Sequence, residues 1–195
     1  QVPTHFALDD HEIDDNWSGL PPPSTARPLV YAAREKERKY AVDTAARFMS
    51  SGRNQAQILK SQSPGPFYYA MAHPQECDFP TFVADTRTER DFRHGNVPAT
   101  YNLMSNDQYT TLADWLLEAH NDYPDTPKFV FSGSIIAPLP VSYCKEASMW
   151  RHLDGWAGYP DTLEKLLGLI VEKEISKVIF VGGDAHISSV SELAL

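Results

Sequence analysis

A chain of 195 residues with 17 Lys and Arg against 26 Asp and Glu carries a formal charge of −9; this is one ordinary domain, or a large piece of one, and long enough to bury a sizeable core. Its 42% hydrophobic and 22% charged content fits a folded, water-soluble protein and excludes wholesale disorder, collagen-like repeats and coiled-coil fibres. The acidic balance repels a phosphate backbone, so duplex nucleic-acid binding is not expected.

Phe6, Ala7 and Leu8 read as the end of a buried strand that runs into the acidic string Asp9, Asp10, His11, Glu12, Ile13, Asp14, Asp15, Asn16, Trp17. Loops at strand ends are where sites are built. Pro21 to Pro23 interrupt regular structure. Ala32 to Ser50 then reads as an amphipathic helix, with Tyr40, Ala41, Thr44, Ala45, Phe48 and Met49 on its dry side. Phe67 to Met71 and Phe79 to Ala84 have the aromatic and β-branched character of neighbouring strands.

Ser105 followed by Gln108 is a capping-box signature, and Leu112, Trp115, Leu116 and Ala119 continue it with one buried helical face. Pro124 and Pro127 end that helix, Lys128 to Ser132 forms the next strand, and a Gly- and Pro-rich loop follows from Gly133 to about Pro140. A further helix begins after Tyr159 and Pro160, with Leu163, Leu166, Leu167 and Ile170 inside. Lys177 to Val181 is read as a continuous buried strand ending in Gly182, Gly183, Asp184, Ala185, His186. Strands alternating with helices predict a layered α/β domain with a largely buried sheet.

No apolar run approaches the ~20 residues that span a bilayer. Cys77 and Cys144 stand far apart, outside any C-x-x-C pattern, and are read as inert thiols. The chain opens on Gln1 without a basic leader; no signal peptide is expected within it, and its abrupt start suggests that residues upstream have been cut away. The compartment is left open.

Three polar clusters fall at the ends of predicted strands: Asp9 to Asn16, Asp85 to Arg87, and Asp184 to His186. Carboxylate, amide and imidazole groups suit hard or borderline cations, and two such cations can hold the attacking and leaving oxygens of a phosphoryl transfer. Arg87 offers a fork of donors for phosphate oxygens. Taken singly, each cluster has a plainer reading. Asp9 to Asp15 could be a solvated acidic loop, Asp85-Thr86-Arg87 a strand-end ion pair and turn, and Gly182-Gly183-Asp184 a turn with Asp as helix cap. Trp156 and Tyr159 are read first as anchors of the following helix and second as a pocket wall.

The order Asp9-Asp10-His11-Glu12 with Asn16-Trp17, then Asp85-Thr86-Arg87, then Asp154-Gly155-Trp156-Ala157-Gly158-Tyr159-Pro160, then Gly183-Asp184-Ala185-His186 resembles the alkaline-phosphatase-D (PhoD-like) family of metallophosphoesterases. The resemblance implies a four-layer αββα fold, a multinuclear metal centre, and hydrolysis of phosphate mono- or diesters by a metal-bound hydroxide. By position it implies Asp9, Asp10, Asn16, Asp184 and His186 as metal ligands. His11 is implied as the group that contacts substrate and protonates the leaving oxygen, and Arg87 as a phosphate-facing or ligand-supporting group. The ions are divalent or trivalent, with calcium, iron, zinc and manganese all compatible with these donors. An aspartate in a first strand and a Gly-Asp-x-x-Tyr-type segment normally precede these motifs, and neither occurs here. The chain is therefore expected to be the C-terminal portion of a catalytic domain, over residues 1–195. The competing expectation is an inactive fragment, a scaffold or a binding domain that keeps the fold.

Overall fold

The computed structural model describes residues 6–10, 39–40, 43–44, 46–47, 67–71, 73–74, 77–91, 101–136, 154–183, 190 and 192. Among them, four strands form one mixed sheet in the order β1 (Tyr69–Met71), β2 (Thr81–Ala84), β3 (Lys128–Ser132) and β4 (Val178–Gly182). β1 runs antiparallel to β2, and β2, β3 and β4 are parallel. The two parallel crossovers carry helices α1 (Asn106–Asp122) and α2 (Pro160–Glu172). Because both crossovers step the same way along the sheet, equal handedness puts both helices on one face. Leu112, Leu116, Leu166 and Ile170 accordingly pack in a single core with Phe82, Ala84 and Val130.

α1 starts where the capping signature predicts, with Gln108 N donating to Ser105 Oγ at 3.1 Å. The reciprocal half of the box is made differently. Glu89 Oε2, not the Gln108 side chain, accepts from Ser105 Oγ (2.6 Å) and N (3.4 Å). The Gln108 amide instead works like a strand, accepting from Asp85 N (2.8 Å) and donating to Asp85 O (2.9 Å). It thereby ties the end of β2 to the first turn of α1. α2 starts with Pro160 in its first turn and ends at Glu172, after which Glu174 takes a positive φ of 51°, the left-handed geometry that closes many helices.

Three expectations are corrected. Phe6 to Leu8 is not the end of a strand: residues 6–9 carry no ladder, and the Phe6 carbonyl accepts from the Tyr69 hydroxyl at 2.9 Å. Leu8 is nonetheless buried, packed with Phe67, Tyr69 and Val83. β4 is not a buried strand, since Ile179 and Val181 are 41% and 39% exposed. Both helices lie on the opposite face, and among the described residues β4 has only β3 as a neighbour, so hydrophobic character alone did not bury it. Residues 39–40, 43–44 and 46–47 are helical as expected, but Tyr40 is 63% exposed and Ala46 is the residue that reaches the core. Thr44 is half-buried as expected, and the remaining expected inward residues of that helix, Ala41, Ala45, Phe48 and Met49, lie outside the described residues, as does Cys144. Among the described residues no helix is long and apolar enough to cross a membrane.

Lys128 fixes the other end of the sheet. Its ammonium is buried and donates to the carbonyls of Tyr123 (3.1 Å), Thr126 (3.0 Å) and Ser176 (3.3 Å), so the loops entering β3 and β4 are held by one cation. Burial, with the charge of Lys177, holds its pKa below the usual lysine range. Lys128→Met keeps the apolar stem but strips three carbonyls of their donor, and should lower the free energy of unfolding by about 1–3 kcal/mol, read from urea denaturation with an unchanged m value.

Candidate active site

In the register of the parallel strands, Ala84, Ser132 and Gly182 are aligned. Asp85, Gly133 and Gly183 therefore leave the sheet from the same edge, and Gly183 N still reaches Ser132 O at 3.3 Å. Asp184 follows in sequence. It lies outside the described residues, as do His186, His11 and Asn16. Asp9, Asp10 and Arg87, far apart in the chain, are brought together at that edge.

The turn after β2 is folded by Asp85. Its Oδ1 accepts from Arg87 N and Thr88 N, each at 2.9 Å, and its Oδ2 from Thr88 Oγ1. This is a carboxylate occupied by its own turn, and it points Arg87 inward. The Arg87 side chain has no solvent exposure. Its Nε donates to Asp9 Oδ1 at 2.9 Å and its Nη2 to the same oxygen; Nη2 also lies 3.4 Å from Asp10 Oδ1, and Nη1 donates to Asp154 Oδ2. Arg87 thus stands behind the carboxylates and does not face solvent.

Two residues of this constellation have no assigned role in the sequence reading. Asp154 was visible only as the first residue of its motif, and Arg90 was not singled out. Arg90 is also buried, and donates from Nη1 to Asp154 Oδ1, from Nε to Thr86 O and from Nη2 to Ser134 Oγ (3.0 Å). Its guanidinium lies 5.4 Å from the Tyr159 ring centroid, within cation–π range. The available signal was a second arginine three residues after Arg87 in a segment with strand-end turn chemistry.

Glycine makes the convergence possible. A Cβ on Gly133 would sit 2.3 Å from Leu8 O, so only glycine lets the Leu8–Asp9 backbone cross the end of β3. A Cβ on Gly155 would sit 2.5 Å from Ile135 O, the carbonyl that accepts from Trp156 N at 3.0 Å. Trp156 is fully buried, and its indole donates to Ser132 Oγ at 3.0 Å. Tyr159 is fully buried too, so the anchor reading holds for both rings.

Among the described residues, Asp9 and Asp10 face Arg87, and Asp154 faces both Arg87 and Arg90. Asp154 receives both guanidinium groups, which outweigh burial and hold its pKa below 3.8. Burial pushes Asp9 up, and its pairing with Arg87 offsets this only in part. Against its own burial, Arg87 is held protonated by Asp154, Asp9 and Asp10. The Asp9 side chain is 25% exposed. Hard carboxylate oxygens fit a cation, which would draw the Asp9 pKa back down. Among the described residues no three metal-binding side chains form a cluster by themselves.

The family model for PhoD-like phosphatases matches residues 1–195. The chain belongs to the PhoD-like phosphatase family. Alkaline phosphatase D of Bacillus subtilis (strain 168) is 25% identical over 193 residues, which is 95% of this chain and 31% of that protein. A solved structure of PhoD superposes with a TM-score of 0.63 at 20% identity, covering 91% of this chain and 33% of that one. That likeness carries the α/β fold. The chain spans about a third of the length of these PhoD-like relatives.

Two outcomes test this geometry. Gly133→Ala forces the Leu8 carbonyl away and should cost about 1–3 kcal/mol of stability, seen as a lowered urea midpoint. Because the folded pKa of Asp154 is depressed, its contribution is complete above the unfolded value of 3.8 and is lost as pH falls through the folded value. Asp154→Asn should therefore flatten the fall in melting temperature below about pH 4.

Proposed function

We propose that this PhoD-like chain contributes to a metal-dependent phosphoester hydrolase site at the C-terminal edge of β2, β3 and β4. The observation that carries the proposal is the convergence of Asp9 and Asp10 on one buried arginine at the edge where β2, β3 and β4 end. In this reading Asp9, Asp10, Asn16, Asp184 and His186 hold divalent or trivalent cations at a multinuclear site, and the sheet described above is part of a four-layer αββα sandwich spanning residues 1–195 and sequence beyond them. Held there, such cations would supply Lewis acidity toward water and the phosphoryl oxygens.

The protein's own groups then have separate tasks. His11, next to the carboxylate pair in sequence, protonates the leaving oxygen. Arg87 orients Asp9 and Asp10 from behind and offsets part of their mutual repulsion. Phosphate mono- and diesters present the same reacting group to this machinery, and both fall within the proposed substrate class.

Metal analysis of the purified protein, beside hydrolysis of p-nitrophenyl phosphate and bis(p-nitrophenyl) phosphate, tests the reading. Bound metal with turnover supports it. Absence of both replaces it with a scaffold that keeps the fold without the chemistry. Asp184→Asn should lower metal content and hydrolysis together. His11→Ala should leave metal content near normal while lowering kcat by about 10²–10⁴ on poor leaving groups, with a smaller loss on nitrophenyl esters.

A further inference from the structure

Asp154 is bound by two buried arginines through different oxygens: Oδ2 accepts from Arg87 Nη1 and Oδ1 from Arg90 Nη1. The two bonds do not play equal parts. Arg87 reaches onward to Asp9 and Asp10, whereas every other described contact of Arg90 is to the framework: Thr86 O, Ser134 Oγ, the Asp154 backbone carbonyl at 3.3 Å, and the face of Tyr159. Ser134 is itself fixed by Thr86 Oγ1 at 3.2 Å and by the exchange of hydrogen bonds with Ser132. Asp154 precedes the 3₁₀ turn Trp156–Gly158, which is pinned to the end of β3 through Ser132 Oγ and to the loop after it through Ile135 O. A rigid post therefore stands at one corner of the Arg87 guanidinium.

That guanidinium is planar, so fixing its Nη1 corner fixes the direction of the Nε and Nη2 edge. This edge lies on Asp9, with Nη2 also turned toward Asp10. We infer that Asp154, held by Arg90, is a positioning residue that sets the orientation of Arg87 and through it the placement of the Asp9 and Asp10 carboxylates. The inference rests on the proposed role of those two carboxylates as ligands. Buried ion networks often add little net stability over apolar packing of equal volume; what this one supplies is a fixed arrangement. Groups that orient metal ligands from behind typically change metal affinity or activity by about 10–100-fold when removed.

The test combines a structural and a functional readout on the full protein. The Arg87 Nε–H resonance, assigned by its loss in Arg87→Lys, should be slow to exchange in the wild type because Nε is buried and donates to Asp9. In Asp154→Asn, and separately in Arg90→Lys, that resonance should shift and exchange faster. Metal affinity or kcat should fall about 10–100-fold with KM within about threefold, under conditions where melting curves show the variants folded. Asp154→Glu should restore part of the loss, because it returns an anionic partner to both arginines. An unchanged Arg87 resonance in the folded variants overturns the inference, and so does a kcat loss that only follows the unfolded fraction. If one variant fails to fold, the other decides. If the wild type neither binds metal nor hydrolyses either ester, the phosphohydrolase reading fails, while the Arg87 resonance still decides whether Asp154 and Arg90 orient it.

Discussion

The buried guanidinium of Arg87 is the constraint from which the described architecture follows. An arginine without solvent exposure loses its hydration, and the effective penalty of several kcal/mol is recovered only where carboxylates meet it in good geometry. Its described partners come from two distant segments, Asp9 and Asp10 before β1, and Asp154 just before the second crossover helix. The chain must therefore bring these segments to one edge of the sheet. Gly133 and Gly155 remove the side chains that would stand in the way, and Asp85 folds the turn that aims Arg87 inward. Local choices spread over almost 150 residues serve one pairing.

The sheet is asymmetric in a way that suits this arrangement. Both crossover helices cover one face with an apolar core, while the other face is covered by Leu8 and Phe67 near β1 and β2 and is open at Ile179 and Val181 on β4. At one end Lys128 gathers three loop carbonyls under a single ammonium. At the other, the aligned ends of β2, β3 and β4 release the polar segments. Lysine closure at one end and converging carboxylates at the other set the two ends of the sheet apart, and the C-terminal edge of parallel strands is where α/β sheets commonly carry sites.

Much of the local structure was legible because its signals are short-range. Ser105 and Gln108 marked the start of α1, Pro160 the start of α2, and the run 128–132 a strand, since capping, proline geometry and β propensity act over a few residues. Signals that depend on neighbours misled. The Phe6 to Leu8 run is apolar enough for a strand, but its backbone meets a tyrosine hydroxyl where a ladder was expected. The apolar run in β4 is real, yet burial needs a layer on each face, and the described helices supply one. Tyr40 shows that a residue placed inward by helical spacing can still stand in solvent.

The sequence by itself determined the α/β class, the boundaries of its well-capped helices and, through the order of four motifs, membership of the PhoD-like phosphatases. It also singled out Asp9, Asp10 and Arg87, which the fold brings together. What only the tertiary structure decided is how these charges are shared: that Arg87 lies buried behind the carboxylates, that Asp85 is spent on its own turn, and that Asp154 is held between two arginines. A motif states which groups are present, but the role of a charge depends on the distance to every other charge and on the water excluded between them. Those quantities exist only after distant segments have met.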